Sequence, residues 1–319
     1  MQAVTDRRGA LAQRHAEDRD ELVAGLLARP ARIAPKYFYD ALGCALYAAI
    51  CQTREYYPTR TEAAIFARHA AAIARRVGCG GTLVDLGCGD GAKALAWIPS
   101  WQPDTYVGVD FAAEVLVGTL DRIAAAFPAL DVRGVAVDFT RGLDLRADLP
   151  DAATTFFYPG SSIGNFVPDE ALALIRAIRA HRGGGRDAGL LIGVDTHKDA
   201  QRLVAAYDDA TGVTAAFNRN VLNHVNALLG TTFDPAAFSH VASYDGAARC
   251  IRMHLEARCT VEVTIDGVQR RYDAGERIHT EDSYKYAPDD FEALLRRAGF
   301  RTVERWSDPA GDFALFHAV

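Results

Sequence analysis

Apolar residues change their spacing along the chain, and this spacing predicts the secondary structure. From about residue 60, short apolar runs ending in glycine or a polar residue alternate with segments whose apolar residues recur every three or four positions. Strands that alternate with helices predict a parallel sheet covered on both faces, a doubly wound α/β domain. The predicted strands are 82–87, 105–111, 132–139, 154–160 and 189–195, and the predicted helices are 61–77, 92–98, 112–127 and 168–181.

The pattern differs after about residue 198. Residues 199–230 have largely helical spacing, and 249–281 alternate as antiparallel strands do, with a turn at "IDG". A helix at 288–300 and two final strands resume the first pattern, while the glycine-rich segment 181–189 is predicted to be a loop. We therefore predict two domains: a core of residues 61–198 and 287–319, and a substrate-binding domain of residues 1–60 and 199–286.

Composition narrows the range of functions. The chain has 319 residues, half of them hydrophobic, and its net charge of −6 argues against a basic face for nucleic-acid phosphates. No apolar run reaches the roughly 18 residues of a membrane span, and the charged first 25 residues lack the apolar core of a signal peptide. We therefore expect a cytoplasmic protein that binds neither membranes nor nucleic acids. The six cysteines form no C-x-x-C pair and are expected to be reduced, mostly buried thiols without a metal.

The stretch "LVDLGCGDGAK", residues 83–93, carries the first chemical signal. A strand ends in a glycine-rich turn, and Gly87, Gly89 and Ala92 formally fit a dinucleotide fingerprint, which leaves a nicotinamide oxidoreductase as one alternative. Asp85, two residues before Gly87, argues against that alternative because its carboxylate would face a pyrophosphate of like charge. It suits a cationic amino-acid tail instead, and the combination resembles motif I of class I S-adenosylmethionine (SAM) methyltransferases.

Acidic residues recur at the ends of three successive predicted strands. Asp110 lies where an acid accepts hydrogen bonds from ribose hydroxyls, and Asp138 is placed for an adenine amino group. A simpler interpretation is that each Asp caps the helix that follows its strand. Together with Asp85 and the glycine turn, the three acids favour a single cationic nucleoside, SAM.

Several longer motifs resemble one family. From about residue 30 to the C-terminus, the sequence is similar to the histidine Nα-methyltransferases of ergothioneine biosynthesis. The resemblance implies a class I SAM-methyltransferase core, a Rossmann-like doubly wound sheet, with a discontinuous second substrate-binding domain. It also implies conversion of L-histidine to Nα,Nα,Nα-trimethylhistidine (hercynine) with three SAM molecules, each leaving as S-adenosylhomocysteine. The motifs include "PKYFYDALG" (35–43), "EYYPTRTE" (55–62), "SSIGN" (161–165), "YDDATGVTAAFNRNVL" (207–222), "RMHLEA" (252–257), "IHTEDSYKY" (278–286) and "DPAGDFALF" (308–316).

The resemblance assigns four residues to the amino-acid end of the substrate. Asn165, Tyr56 and Tyr207 would bind the α-amino and carboxylate groups, and Tyr39 would be the catalytic hydroxyl beside the amine. The tyrosines are open to a simpler interpretation as interfacial aromatics. For Asn165, an equally good interpretation is that it caps the helix that follows.

Three further residues would bind the ring. Glu281 and Ser283 match a pair that holds the imidazole, and Met253 matches a methionine packed on it. A lone Glu is more often half of a surface ion pair, and a Met is more often core. Asp282 departs from the pattern by adding a second carboxylate, and the neighbouring His279 is expected to be structural.

On the cofactor side, the positions that match are Gly87, Lys93, Asp110, Asp138 and Phe139, to which the motif I turn adds Asp85 and Gly89. Methyl transfer requires positioning more than covalent catalysis. No protein partner is implied, and we expect a monomer with a small amino-acid substrate. Alternatives are the same chemistry on tryptophan, a modified histidine or another amine, and a sensor that binds without turnover.

Overall fold

The computed structural model describes residues 8–319, with side chains from residue 16 onward except at 114. Contacts divide the described chain into two units. Unit 1 contains Arg60–Thr196 and Tyr286–Val319, and unit 2 contains the residues up to Thr59 together with His197–Lys285.

Helices and strands follow one another in this order along the chain. The helices are α1 (Arg8–Leu27), α2 (Ala41–Ile50), α3 (Pro58–Val77), α4 (Ala92–Trp101), α5 (Ala113–Ala126), α6 (Pro168–Arg179), α7 (Ala200–Tyr207), α8 (Val213–Leu229) and α9 (Pro288–Arg297). The strands are β1 (Ala31–Arg32), β2 (Thr82–Leu86), β3 (Thr105–Asp110), β4 (Asp131–Ala136), β5 (Thr154–Tyr158), β6 (Arg182–Gly183), β7 (Arg186–Asp187), β8 (Gly189–Asp195), β9 (Phe238–Asp245), β10 (Cys250–Ala257), β11 (Val261–Ile265), β12 (Val268–Tyr272), β13 (Arg277–Tyr284), β14 (Val303–Ser307) and β15 (Phe313–Ala318).

Unit 1 is built on a seven-stranded sheet with the order β14-β15-β8-β5-β2-β3-β4. Its five strands from β8 to β4 are parallel, β15 runs antiparallel to β8, and β14 runs antiparallel to β15. β2, β3 and β8 are buried along their whole length, so they appear in the sequence as continuous apolar runs. The order reverses between β2 and β5, a topological switch at which doubly wound sheets bind ligands.

Local sequence explains where two helices of unit 1 begin and end. α6 and α9 begin with Pro168 and Pro288, where the missing N–H costs no helical hydrogen bond. Both carry acidic residues in the first turn and arginines in the last, which complements the helix dipole.

The predicted fold class is confirmed, and three smaller expectations are wrong. β4 ends at Ala136 rather than near Asp138, because the Asp138 carboxylate accepts a hydrogen bond from Thr140 N and turns the chain into a 3₁₀ helix. The glycine-rich segment predicted to be a loop holds a two-strand hairpin, β6 and β7. All six cysteines are free, but two are buried, two intermediate and two exposed, so most are not buried.

Unit 2 contains a four-stranded sheet with the order β1-β13-β10-β9. β10 is antiparallel to both neighbours, and its pairing with β13 shifts between Met253 and His254, which marks a β-bulge. The hairpin β11–β12 turns at Asp266 and Gly267, both with positive φ, as the "IDG" signal predicts. Within residues 8–319, none of the helices combines the length and the hydropathy that a membrane span requires.

Gly193 is a packing constraint in the centre of unit 1. It lies on β8 opposite Leu315 of β15. A Cβ at this position would overlap the Glu62 carboxylate and lie 2.9 Å from the Phe313 ring. Gly189 on the same strand is different, because an added Cβ would find its nearest atoms at 3.5 Å, an ordinary contact distance.

Gly193→Ala is expected to lower the free energy of unfolding by about 1–3 kcal/mol, the usual cost of overpacking. The matched control, Gly189→Ala, is expected to change it by less than about 1 kcal/mol. Urea titration followed by tryptophan fluorescence measures both, and equal losses in the two variants would contradict the packing argument.

Candidate active site

The turn between β2 and α4 depends on glycine. Gly87, Gly89 and Gly91 have φ values of 66°, 51° and 70°, a left-handed conformation that favours glycine because a Cβ clashes there. The N–H groups of Gly87 and Cys88 both donate to the Val109 carbonyl, at 2.8 and 3.2 Å, and so fasten the turn to β3. A Cβ added at Gly89 would meet no atom within 4 Å. The turn therefore leaves open space beside its backbone.

Asp110, the last residue of β3, holds the glycine turn through its carboxylate. One oxygen accepts a hydrogen bond from Gly89 N and the other from Ala112 N, each at 3.0 Å. Burial raises the pKa of this carboxyl, while the N–H groups of Ala112 and Gly89 lower it. The acid predicted to bind ribose thus also determines the path of the turn.

Asp85 is a second buried acid, on β2, with 3% of its surface exposed. Its carboxylate accepts a hydrogen bond from the Tyr106 hydroxyl at 3.0 Å. Burial raises the pKa of Asp85 to about 7, although Tyr106 and Lys93 lower it. A cationic ligand beside this carboxyl would favour its ionised form.

Asp138 and Phe139 lie just past the end of β4. The Asp138 carboxylate accepts a hydrogen bond from Thr140 N at 3.0 Å. Asp138 therefore caps the short 3₁₀ helix that follows it, which is the simpler of the two interpretations given in the sequence analysis. The Phe139 ring lies edge-on to Tyr158, with centroids 5.8 Å apart. Its Cζ is 3.9 Å from the position that a Cβ on Gly87 would take, so the ring lies over the glycine turn.

Lys93, in the first turn of α4, pairs with a carboxylate of α3. Its Nζ is 2.5 Å from Glu62 Oε2, and Glu62 is 2% exposed. The other oxygen of Glu62 accepts a hydrogen bond from Gly160 N at 2.7 Å. Glu62 therefore holds Lys93 against the loop that follows β5.

The "SSIGN" stretch continues that loop. Ser161 has a left-handed φ of 61°, and its hydroxyl accepts a hydrogen bond from Asp195 N at 2.8 Å. Asn165 ends the 3₁₀ helix that follows and is half-buried. The N-cap of α6 is Val167, so the interpretation of Asn165 as a helix cap is wrong. Its role as a substrate ligand stays a prediction.

A cavity within unit 2 brings together most of the residues predicted to bind the substrate. It is small and partly open to solvent. Five predicted residues line it, and five others were not predicted. The lining residues are Tyr39, Tyr47, Ile50, Tyr56, Ala206, Tyr207, Thr214, Phe217, Met253 and Glu281.

Glu281 and Met253 reach the cavity from two paired strands. They lie directly opposite each other on β13 and β10. Ser283 is on the same face of β13 as Glu281, because alternate residues of a strand share a face. It does not line the cavity, but its buried hydroxyl is 2.8 Å from that of Tyr207, which does.

Burial has the largest effect on the pKa of Glu281. Burial raises the pKa of its carboxyl to about 7, while Lys285 lowers it and Asp282 raises it. Below that pH the group is protonated and can donate a hydrogen bond, and above it the carboxylate only accepts. Glu281 is therefore an acceptor for a ring N–H at pH values above about 7.

Aromatic rings form one wall of the cavity. Neighbouring rings meet edge to face: Tyr47 is 5.9 Å from Tyr39 and 6.3 Å from Tyr56, and Tyr56 is 6.3 Å from Tyr207. Burial raises the pKa of the Tyr47 and Tyr56 hydroxyls far above their ordinary value, so both stay neutral. Neutral aromatic faces attract a cation such as a methylated ammonium.

Asp282 points away from this cavity, on the opposite face of β13 from Glu281. It contacts His279 Nε2 at 3.1 Å, Arg252 Nε at 3.5 Å and Cys250 Sγ at 3.6 Å. Burial raises the pKa of Asp282, but the hydrogen bond and charge of His279 outweigh it, so the pKa is lowered. Among the residues that the structure describes, no three His, Cys, Asp or Glu side chains form a group that could hold a metal ion.

The five cavity residues that sequence reasoning missed all lie on helices. Tyr47 lies on α2, and Thr214 and Phe217 lie on α8. In a helix, the spacing of apolar residues does not distinguish those that line a cavity from those that pack in the core.

Lys285 does not line the cavity, but its Nζ donates to the hydroxyl of Tyr207, a residue that does. A sequence signal for Lys285 existed, because it follows Glu281 and Ser283 at a spacing of two residues and so lies on the same face of the strand.

The glycine turn and its acids favour a cationic nucleoside as the ligand of unit 1. The buried Asp85 carboxylate would repel a pyrophosphate but attract a cationic nucleoside, and Asp110 is placed to accept hydrogen bonds from a ribose. The open space beside Gly89 allows such a ligand to approach the backbone closely. With the order of its sheet, this site places the protein in the class of SAM-dependent methyltransferases with the class I fold.

Comparison with known proteins narrows the class to a family. Residues 18–319 match the family described as "Histidine-specific methyltransferase, SAM-dependent", and the chain belongs to it. It is therefore an enzyme that uses SAM and acts on a small molecule, and the nicotinamide alternative is wrong.

Curated relatives cover nearly the whole chain. The histidine N-alpha-methyltransferases of Mycolicibacterium smegmatis and Mycobacterium tuberculosis are 39% and 37% identical, each over 94% of this chain and 94% of the relative. Ergothioneine biosynthesis protein 1 of Schizosaccharomyces pombe is 26% identical over 87% of this chain and 37% of that protein.

Glu281→Gln is expected to stabilise the protein at pH 8. The folded-state pKa of about 7 lies above the ordinary value of 4.5. The folded chain therefore holds an extra proton between these values, and stability falls as the pH rises from 4.5 to 7. The variant should be about 1–3 kcal/mol more stable than wild type at pH 8 and equal to it at pH 4. Urea midpoints at both pH values measure the difference.

The neighbouring Asp282→Asn is the matched control with the opposite sign. Because its folded-state pKa is lowered, Asp282 stabilises the protein above the unfolded pKa and loses this effect as the pH falls through the folded one. Asp282→Asn should therefore be less stable than wild type at pH 8. A loss of stability at pH 8 in Glu281→Gln would contradict the burial argument.

Proposed function

We propose that this enzyme transfers methyl groups from SAM to the α-amine of L-histidine, three in succession, and so forms Nα,Nα,Nα-trimethylhistidine (hercynine) for ergothioneine biosynthesis. The observation that carries the proposal is Glu281, a carboxylate in an aromatic cavity of unit 2, paired across the sheet with Met253. The activities for which the bacterial relatives and the Schizosaccharomyces pombe protein are named support the substrate and the pathway.

Glu281 would select the ring. Its carboxylate would accept the imidazole N–H, while Met253 on the opposite strand would pack against the ring. A site built to hydrogen-bond a substrate discriminates strongly against rings that leave its polar groups unpaired. Phenyl rings therefore bind less well in this proposal.

Tyrosines would serve the amino-acid end. Tyr39 would orient the amine, Tyr56 and Tyr207 would bind the α-amino and carboxylate groups, and Asn165 would join them. The aromatic wall would stabilise each methylated ammonium by cation–π attraction, worth roughly 0.5–2 kcal/mol. Each methylation removes an N–H that could donate a hydrogen bond, so the cation–π attraction becomes a larger part of how the ammonium group is held.

Several residues of unit 1 would hold SAM. Asp110 would accept hydrogen bonds from the ribose hydroxyls, Asp138 would bind the adenine amino group, and Asp85 and Lys93 would bind the amino-acid tail. Gly87 and Gly89 would permit close approach, and Phe139 would cover the nucleoside. SAM supplies a methyl group on a sulfonium, which a neutral amine can displace. The protein's task is to bring that amine into line at a near-attack distance of about 3–3.5 Å.

The direct test incubates purified protein with SAM and each of the twenty amino acids separately, followed by mass spectrometry. We expect histidine alone to gain one, two and three methyl groups. Methylation of tryptophan or another amino acid instead would keep the enzyme class and overturn the histidine assignment. SAM binding without methylation of any amino acid would favour a modified histidine, another amine or a sensor.

Asp110→Asn is expected to weaken SAM binding by about 10- to 100-fold, the effect of losing hydrogen bonds to a charged group. The matched control is Asp104→Asn, six residues earlier, where an exposed carboxylate accepts from Gly81 N. Its affinity for SAM should equal that of wild type. Titration calorimetry measures both, and an unchanged affinity in Asp110→Asn would contradict the assignment.

The proposal also includes a cytoplasmic location and a monomeric state. Six free cysteines fit a reducing compartment. Light scattering on the purified protein tests the monomer: a mass near 34.5 kDa supports it, and twice that mass contradicts it.

A further inference from the structure

Glu62 and Lys93 form an ion pair at the carboxyl ends of β2 and β5, where the strand order of unit 1 reverses. The Glu62 side chain, on α3, is 2% exposed, whereas the Lys93 side chain, in the first turn of α4, is 37% exposed. One oxygen of Glu62 lies 2.5 Å from Lys93 Nζ, and the other accepts a hydrogen bond from Gly160 N at 2.7 Å. The ammonium is therefore held from its buried side and is accessible on the other.

Two glycines leave the space that this pair occupies. A Cβ on Gly193 of β8 would overlap the Glu62 carboxylate, and a Cβ on Gly160 would lie 2.9 Å from Lys93 Nζ. Gly160 also has a left-handed φ of 80°, which favours glycine. Each charge of the pair therefore depends on a missing side chain in a neighbouring strand or loop.

The two partners of Glu62 require a carboxylate at this position, because both are donors. An ionised carboxylate accepts at each oxygen, whereas a glutamine amide accepts at one end and donates at the other. In Glu62→Gln, the amide nitrogen would face either Gly160 N or Lys93 Nζ, a donor against a donor. Joining α3 to the loop after β5 takes only one acceptor, so the second acceptor serves Lys93.

Lys93 is placed to bind an anionic group of a ligand. Its ammonium has three hydrogens, and the bond to Glu62 uses one of them. The N-terminal turn of α4 adds the positive end of a helix dipole. Burial raises the pKa of Asp85 to about 7, and Lys93 is one of the groups that lower it, so the ammonium lies within electrostatic reach of that carboxyl. The amino-acid tail of SAM carries an ammonium and a carboxylate, which match Asp85 and Lys93 in charge.

We propose that Glu62 is a positioning residue for the methyl donor, which holds the Lys93 ammonium where that group binds the carboxylate of the SAM tail. This inference rests on the proposed role of Lys93 and deepens it, because it names the group of SAM that Lys93 binds and the residue that sets its position. Glu62 acts through Lys93 and does not contact SAM. A SAM analogue without the carboxylate should therefore gain nothing from either residue.

The position and the charge of Glu62 predict opposite effects on SAM. Its negative charge alone repels the SAM carboxylate, so its removal would strengthen the attraction. Its hydrogen bond fixes the flexible four-carbon side chain of Lys93, which would otherwise have to be ordered when the ligand binds. We expect the second effect to be larger, because the glutamine amide also leaves a donor without an acceptor and so drives Lys93 from its place.

The test is titration calorimetry with two ligands, SAM and decarboxylated SAM, which lacks the carboxylate of the tail. Wild type should bind SAM about 10- to 100-fold more tightly than decarboxylated SAM, the effect of hydrogen bonds between charged groups. Lys93→Met and Glu62→Gln should each reduce this preference by about 10-fold. The double variant should reduce it no further than Lys93→Met does, because Glu62 acts through Lys93.

Glu292→Gln is the matched control for the loss of one negative charge from an ion pair of unit 1. Glu292 pairs with Arg296 at 2.8 Å on the surface of α9. This variant should keep the wild-type preference for SAM. If the urea midpoint shows that Glu62→Gln does not fold, Glu62→Asp takes its place. Aspartate keeps the charge, but its shorter side chain cannot reach both donors, so the preference should fall by the same factor.

Three results would overturn the role of Glu62. In Glu62→Gln these are an unchanged preference, an equal weakening of both ligands, which indicates support of the loop alone, and a stronger preference for SAM, which indicates that charge outweighs position. Equal affinities of wild type for the two ligands, or a preference that Lys93→Met leaves intact, would overturn the proposed role of Lys93 and this inference with it. The two failures are distinguished because the second is seen without any change at Glu62.

Discussion

A carboxylate removed from water must either be held by hydrogen-bond donors or give up its charge, and both units are arranged around this constraint. The Asp110 carboxylate accepts hydrogen bonds from two backbone N–H groups, and these bonds determine the path of the glycine turn. Asp85 and Glu281 have weaker compensation, and burial raises the pKa of each to about 7. Such groups gain most from a ligand that brings a positive charge or an N–H, which SAM and histidine respectively provide.

The architecture of unit 1 was largely predictable because its physics is local. Strands buried on both faces appear as continuous apolar runs, and the turns between them are marked by glycine and aspartate. The end of β4 was not predictable from the same signal. The run of apolar residues extends to Val137, but the Asp138 side chain competes for a backbone N–H and ends the strand early.

The candidate site was predictable only where motifs carried it. Tyr39, Tyr207, Met253 and Glu281 stand in motifs that resemble a family, and the structure gathers them in one cavity. Glu62 stands in one of the same motifs, but the atoms it holds belong to residues 31 and 98 positions away. No pattern within a short window encodes a contact of that kind, since it exists only after the sheet has formed.

The neutral tyrosine wall has a consequence for the release of acid. In the proposed reaction, an ammonium with three hydrogens becomes a quaternary ammonium with none, so every methyl group added liberates one proton. Hydroxyls whose pKa is raised by burial can pass a proton from one oxygen to the next, but they cannot store it as a phenolate would. The final base is then the solvent, and a complete cycle delivers three equivalents of acid to the surrounding water.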